Sequence, residues 1–347
     1  MIKFPSIEQY RTAVKRIAMN SRFVGRDENG DAIYDASLTP PTLKYRGTVK
    51  LHGTNAGIVY DVATDKIEYQ SRERILTLEQ DNAGFMLYMM QFPEITHDIV
   101  KQCSEINPFD NNVAKVCIYG EWCGKGIQKS VGISELPKMF VIFGVRVVRT
   151  DETSTWYPIG EFDIHYPEPM ARVFNIDTFQ TWDVEVDFAN PHIAQNIMVD
   201  LTDEVEKECP VAKYFGVENG IGEGIVWTPC GDNVTSDGWF KVKGEKHSTS
   251  KVKTLNLADV EAIEKMNEFI EHAVTEARLE WALDNMQREK LLPFEMKSMG
   301  DFIRIVYNDV IKEESDLIVE NQIDTKKLGS AVANKARPWF IKNFNEG

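Results

Sequence analysis

The apolar pattern of this 347-residue chain changes once, and the change divides what it can fold into. From Leu43 to about Lys243 short extended runs dominate, whereas beyond about Lys253 apolar residues recur at helical spacing. Thr54 to Tyr60 and Lys66 to Gln70 flank Asp61-Val-Ala-Thr-Asp65 as the arms of a hairpin, whose second arm delivers Ser71 and Arg72 beside the first. Val113 to Tyr119 is a strand ending at Gly120-Glu-Trp122. Phe140 to Val148 is almost continuously apolar and predicts a strand buried on both faces, apart from Arg146. Further strands are expected at Gly224 to Trp227 and Trp239 to Lys243. The interleaved helices are expected at Ile7 to Ala18, Asp81 to Met90, just before Asn107, and near Asp200 to Glu206. In the last third, Leu257 to Gln287 is helical and Ser298 caps a helix running to about Glu320. Asp324 to Phe344 is helical with a break near Pro338. The class is therefore α+β, with residues 1–250 forming a domain of antiparallel sheets and flanking helices. Residues 251–347 form an all-helical domain behind a linker over Gly244 to Lys253.

Composition bounds the function classes. Thirty-nine basic residues against 54 acidic give a net charge of −15, the opposite of a simple polyanion binder. A nucleic-acid partner would need basic residues concentrated locally. Lys241 to Lys253 offers this, with Lys241, Lys243, Lys246, Lys251, Lys253 and His247 against Glu245 alone. The five cysteines are scattered with no Cys-x-x-Cys pair, so they are expected to be reduced packing residues. The start has no apolar signal-peptide core, and no uncharged run approaches the ~18 residues of a membrane span. A cytoplasmic protein with no membrane partner is expected, and no obligate protein partner is inferred.

Chemistry concentrates around Thr48-Val-Lys-Leu-His-Gly-Thr-Asn55. A lysine nucleophile must shed its proton, and burial together with neighbouring cations favours the neutral amine. Four more pieces follow at strand ends: Tyr69-Gln-Ser-Arg72, Tyr119-Gly-Glu-Trp122, Glu223-Gly-Ile-Val226 and Phe240-Lys-Val-Lys243. A candidate nucleophile, an arginine, two carboxylates and a lysine pair are what nucleotidyl transfer requires, because charge gathering on a phosphate under attack is stabilised by lysines and a hard cation. Glu223 is the candidate metal carboxylate, since Gly224 lets the backbone come close to a ligand. Glu121 can accept from a ribose hydroxyl, and Arg72 can donate two hydrogen bonds to phosphate. His165 and His192 have no partner at metal-site spacing and are expected to be ordinary residues.

The order of these pieces resembles the covalent nucleotidyltransferases, the superfamily of ATP-dependent ligases and capping enzymes. It is most similar to the RNA ligase 2 type of bacteriophages and kinetoplastid RNA-editing ligases. His52, where DNA ligases and capping enzymes generally carry aspartate, and Gly124-Lys-Gly-Ile-Gln-Lys-Ser-Val131 after Glu121 carry the resemblance. It implies a nucleotidyltransferase (ATP-grasp-like ligase) domain over residues 1–250. Lys50 would form lysyl-AMP, and His52 and Asn55 would assist joining. Arg72 would contact the nucleotide, Glu121 its ribose, and Phe143 would stack on adenine. Lys241 and Lys243 would bind the α-phosphate, while Glu223 would serve Mg²⁺ or Mn²⁺. Lys246, His247, Lys251 and Lys253 would follow nucleic-acid phosphates. Two departures stand out: Val49 where relatives often have glutamate, and Gly144 where many have aspartate.

The resemblance implies an ATP-dependent RNA ligase that seals 3′-hydroxyl/5′-phosphate nicks in duplex RNA or RNA–DNA hybrid. The alternatives are a DNA ligase, a capping-type nucleotidyltransferase or a catalytically inactive nucleic-acid clamp. The first two usually carry a C-terminal oligonucleotide-binding barrel, against which the helical spacing of residues 254–347 argues.

Overall fold

The computed structural model describes every residue except 29, 36, 232–237, 245–260 and 347. The chain forms two compact units, Met1–Gly244 and Glu245–Gly347.

In the first unit the described elements run β1 (Glu8–Gln9), α1 (Tyr10–Ser21), β2 (Phe23–Arg26), β3 (Ala32–Tyr34), β4 (Thr42–Lys50), β5 (Thr54–Asp61) and β6 (Lys66–Ser71). They continue with α2 (Phe85–Met89), α3 (Pro93–Ile106), β7 (Val113–Cys123), β8 (Met139–Arg149), β9 (Ser154–Tyr157), β10 (His165–Tyr166), β11 (Val173–Asn175) and β12 (Thr181–Asp187). The last are α4 (Pro191–Lys207), α5 (Pro210–Tyr214), β13 (Gly224–Pro229) and β14 (Phe240–Lys243). One sheet has the order β1-β14-β13-β4-β12, and a second has β10-β11-β8-β7-β5-β6, with β9 on the free end of β8. β2 and β3 form a separate hairpin.

Alternation along the strands assigns each face its task. In the five-stranded sheet Val49, Ile225 and Phe240 point into one apolar core. In the second sheet Ile58, Ile118 and Ile142 pack beneath α2 and α3 with Phe85, Ile95 and Ile99. A smaller aromatic cluster unites Tyr119 and Trp156 of the second sheet with Trp239, just before β14, so the two sheets meet there. The chain passes between the sheets at Leu51-His52-Gly53, since β4 belongs to the first and β5 to the second.

Several expected boundaries move for local reasons. The first helix begins at Tyr10 instead of Ile7, because Glu8 and Gln9 pair in parallel with Phe240 and Lys241. The helix expected from Asp81 shrinks to α2, and the Asp81 carboxylate accepts from the backbone N–H groups of Met86 and Leu87 at 2.8 and 3.0 Å. β7 does not stop at Tyr119 but runs on to Cys123, with a register shift between Tyr119 and Gly120. All five cysteines are free of disulfides, four of them buried and Cys230 exposed. No described helix is long and apolar enough to cross a membrane.

The second unit is helical throughout its described part: α6 (Glu261–Ala273), α7 (Glu276–Arg288), α8 (Met299–Glu313), α9 (Ser315–Glu320) and α10 (Thr325–Glu346). The segment expected as one helix over Leu257 to Gln287 divides at Thr275, whose hydroxyl accepts from Arg278 N. Ser298 makes no side-chain cap. Pro338 lies inside α10 without ending it, because Ala336 and Phe340 on either side are fully buried in the helical core. In that core the Arg278 side chain, fully buried, meets Asp309 at 2.8 Å and the equally buried Glu314 at 3.0 Å.

Candidate active site

Lys50 closes β4, and its register fixes what lies beside it. Lys50 pairs with Gly224 of β13, which pairs with Lys243 of β14, so three strands form one row. Directly opposed residues share a face, and the row therefore sets two lysines on either side of a residue without a side chain. The next row on that face is Thr48, Val226 and Lys241. Gly224 is required here: it has φ +150°, and a Cβ would lie 2.2 Å from Val242 O.

Glu223, 3% exposed, reaches both lysines of the row. Its Oε2 accepts from Lys50 Nζ at 2.7 Å, and its Oε1 lies 3.0 Å from Lys243 Nζ. His52 Nδ1 is 3.3 Å from Oε2. An ionised carboxylate can only accept, so this contact assigns the hydrogen to Nδ1. Burial by itself would raise the Glu223 carboxyl pKa, but Lys50, Lys243 and His52 overcome it and hold that group well below its ordinary range.

Glu121 approaches from the other sheet. Its Oε1 accepts from Gly53 N at 2.9 Å, while Gln128 Nε2 donates to Gly53 O at 3.3 Å. Both backbone groups of Gly53 are thus held by side chains. A Cβ there would lie 2.4 Å from Trp122 O, so only glycine fits this turn. Burial pushes the Glu121 carboxyl up to about 7, with Lys50 opposing and the Glu223 charge adding to the rise. The two carboxylates therefore differ in character: Glu223 is a fixed anion, while Glu121 titrates near neutrality.

The remaining expected residues follow from strand pairing. Asn55 is directly opposite Glu121 and shares its face. Arg72 is exposed, one residue beyond β6. Phe143 sits where two residues of β8 oppose one step of β7, since Tyr119 pairs with Gly144 and Gly120 with Ile142. It is half-buried, with its ring centroid 5.0 Å from that of Phe4. Lys50, His52, Glu223 and Lys243 are in direct contact, whereas Asn55, Arg72 and Phe143 share the second sheet with Glu121. Lys246, His247, Lys251 and Lys253 lie outside the described residues. His165 and His192 are both exposed, and among the described residues no group of three or more His, Cys, Asp or Glu could hold a metal.

Sequence reasoning missed Gln128 as a contact of the Lys-x-His-Gly turn, although the Gly-Ile-Gln-Lys segment that contains it is a visible signal. It also missed Phe4, Gln70 and Trp239. The two departures have local causes: Val49 is 2% exposed in the apolar core, and a Cβ on Gly144 would meet Trp156 at 3.2 Å and Phe4 at 3.5 Å.

No curated protein matches the sequence significantly. Similar solved structures include an RNA ligase of Naegleria gruberi with ATP and manganese, at 13% identity and a TM-score of 0.41, covering 71% of this chain and 57% of that one. The same ligase with pyrophosphate matches at 14% identity and a TM-score of 0.41, covering 71% and 56%. This chain therefore spans little more than half the length of those ligases. Residues 43–243, more than half of the sequence and the whole run from β4 to β14 apart from Thr42, match the RNA ligase family model. The chain belongs to the RNA ligase family.

Proposed function

We propose that this protein is an ATP-dependent RNA ligase that works through an adenylylated Lys50. The observation carrying the proposal is the row Lys50–Gly224–Lys243, with Glu223 inserted between the two amines at 2.7 and 3.0 Å. Lys243 supplies the neighbouring cation that an attacking amine needs, while Glu223 as it stands pairs with Lys50 and would have to turn to a bound metal before the amine could attack.

In the first step the Lys50 amine, having lost a proton, attacks the α-phosphorus of ATP. A P–N bond forms, the P–O bond to the β-phosphate breaks, and pyrophosphate leaves with the electron pair. The Lys50 side chain keeps 21% exposure, an open route to water for its proton. Lys243 and Lys241, on the same face, offset charge on the phosphate oxygens. AMP then passes to a 5′-phosphate, and a 3′-hydroxyl displaces it to seal the strand, with His52 and Asn55 assisting. Arg72 contacts the nucleotide, Glu121 takes the ribose hydroxyls and Phe143 stacks on adenine.

A divalent metal, Mg²⁺ or Mn²⁺, fits the donor set. Mg²⁺ is held by one or two carboxylates together with substrate phosphates, and Glu223 offers such a group. When bound it neutralises phosphate charge. The substrate proposed is nicked duplex RNA or RNA–DNA hybrid, with residues 1–250 as the adenylyltransferase domain. Residues 251–347 and the lysines at 246, 251 and 253 hold the nucleic acid.

The test is incubation with α-labelled ATP and Mg²⁺ after pyrophosphate stripping, followed by peptide mapping. Acid-labile label on Lys50, absent in Lys50→Ala, is the expected result. Failure of the wild-type protein to take label overturns the ligase reading and leaves a nucleic-acid clamp. Nicked RNA, DNA and hybrid duplexes then decide the strands.

A further inference from the structure

The segment Ile2–Gln9 lies across both sheets and is tied to each. Gln70, 3% exposed, grips Ile2 by both backbone groups: Ile2 N donates to its Oε1 at 3.0 Å and its Nε2 donates to Ile2 O at 2.6 Å. The Tyr119 hydroxyl donates to the same carbonyl at 2.9 Å. These anchors belong to β6 and β7, on the face that carries Glu121, because Gly57 pairs with both Gln70 and Tyr119 and lies two residues from Asn55, the partner of Glu121. At its other end the segment becomes β1, where Glu8 and Gln9 pair with Phe240 and Lys241 of the lysine-bearing strand.

Phe4 sits between these anchors. Its ring meets Phe143 edge-on at 5.0 Å and 62°, and lies 5.3 Å from Tyr119, 5.6 Å from Trp156 and 5.6 Å from Trp239. Gly144 borders the same cluster: a Cβ there would press on Trp156 at 3.2 Å and stand in ordinary contact with the Phe4 ring at 3.5 Å. Aromatic side chains packed edge to face hold one another's orientation as well as burying area. Phe143, half-buried at a two-for-one step in the sheet, packs against both the core of the first sheet and this aromatic cluster, and Phe4 is the ring that meets it edge-on.

We propose that Phe4 is a positioning residue of the nucleotide site: it sets the tilt of Phe143, and the segment around it fixes the spacing between the Phe143 sheet and the lysines of β14. The inference rests on the ligase reading above, in which Phe143 stacks on adenine. Loss of Phe4 then weakens ATP binding while leaving Lys50, Lys243 and Glu223, which it does not touch, able to perform the attack.

The experiment measures the rate of enzyme–AMP formation against ATP concentration for wild type, Phe4→Ala, Phe4→Tyr and Gln70→Met. The last removes the grip on Ile2 without touching Phe143. Phe4→Ala and Gln70→Met are expected to raise KM for ATP about tenfold, with the saturating rate within about threefold of wild type. Phe4→Tyr should stay near wild type. A folded Phe4→Ala and Gln70→Met with unchanged KM, or with the saturating rate falling while KM holds, overturns the inference. Should Phe4→Ala not fold, Gln70→Met decides by the same criterion. Absence of label in the wild-type protein instead overturns the ligase reading, a separate and recognisable failure.

Discussion

Replacing Glu223 with glutamine removes the charge that faces Lys50, His52 and Lys243 together. At an effective dielectric constant of about 20, the lysine contacts at 2.7 and 3.0 Å correspond to about 6 and about 5.5 kcal/mol of Coulomb attraction. Burying the carboxylate costs several kcal/mol of hydration, and both lysines, at 21% and 24% exposure, recover water once it is gone. A net loss of about 3 kcal/mol is expected, equivalent to a fall of about 6–12 °C in melting temperature for a unit of this size. The pH dependence follows from the depressed folded pKa. The stabilisation is complete above the unfolded value of about 4.5 and is lost as pH falls through the folded one. Urea unfolding of wild type, Glu223→Gln, Lys243→Met and the double variant between pH 7 and 3.5 measures both effects. The cycle should give a coupling of about 2 kcal/mol at pH 7 that shrinks below pH 4.5. Additive single effects, or a gap between wild type and Glu223→Gln that is unchanged at pH 3.5, would refute the account of the cluster.

Gly224→Ala should cost about 3 kcal/mol or more, because the added methyl meets Val242 O and the backbone has positive φ; it should also abolish adenylylation of Lys50, read by label transfer. Glu121 has a raised folded pKa of about 7, so its contribution is full below pH 4.5 and is lost as pH rises through 7. Glu121→Gln, which cannot ionise, should gain about 2 kcal/mol on wild type across that window; the partial exposure of Glu121 makes this smaller than the full shift, and a pH-independent difference in unfolding free energy would contradict it. In the helical unit Arg278→Met removes the buried counter-charge 3.0 Å from the fully buried Glu314 and should cost about 3–5 kcal/mol, with much of this recovered in Arg278→Met/Glu314→Leu, as thermal melts at 222 nm would record.

The sequence was most informative where chemistry and local pattern coincide. Lys50, His52, Glu121, Glu223, Lys241 and Lys243 stand out because charged residues at strand ends are conspicuous among apolar runs. Which sheet each strand joins was not readable. Period-two alternation fixes the face of β4 and of β5, but nothing in it says that three residues between them change sheets. Phe4 carries no signal either, since a lone aromatic before Pro5 belongs to no periodic run and gains meaning only from Gln70, Tyr119 and Trp239, all more than 60 residues away. Helix ends failed where tertiary contacts outweighed propensity: Glu8 and Gln9 were claimed by β14, and Pro338 was carried by the burial of its neighbours.

The passage of the chain from one sheet to the other at Leu51-His52-Gly53 also governs how the domain can move. Consecutive Cα atoms stand about 3.8 Å apart, so the ends of β4 and β5 are tethered and the sheets cannot part there. A second crossing runs from β11 to β12 through residues 176–180, and Ile2–Gln9 is tied to both sheets as well. These links hold the sheets together, and Lys50, beside the first of them, is set against Glu121 of the other sheet by a stretch of chain only three residues long.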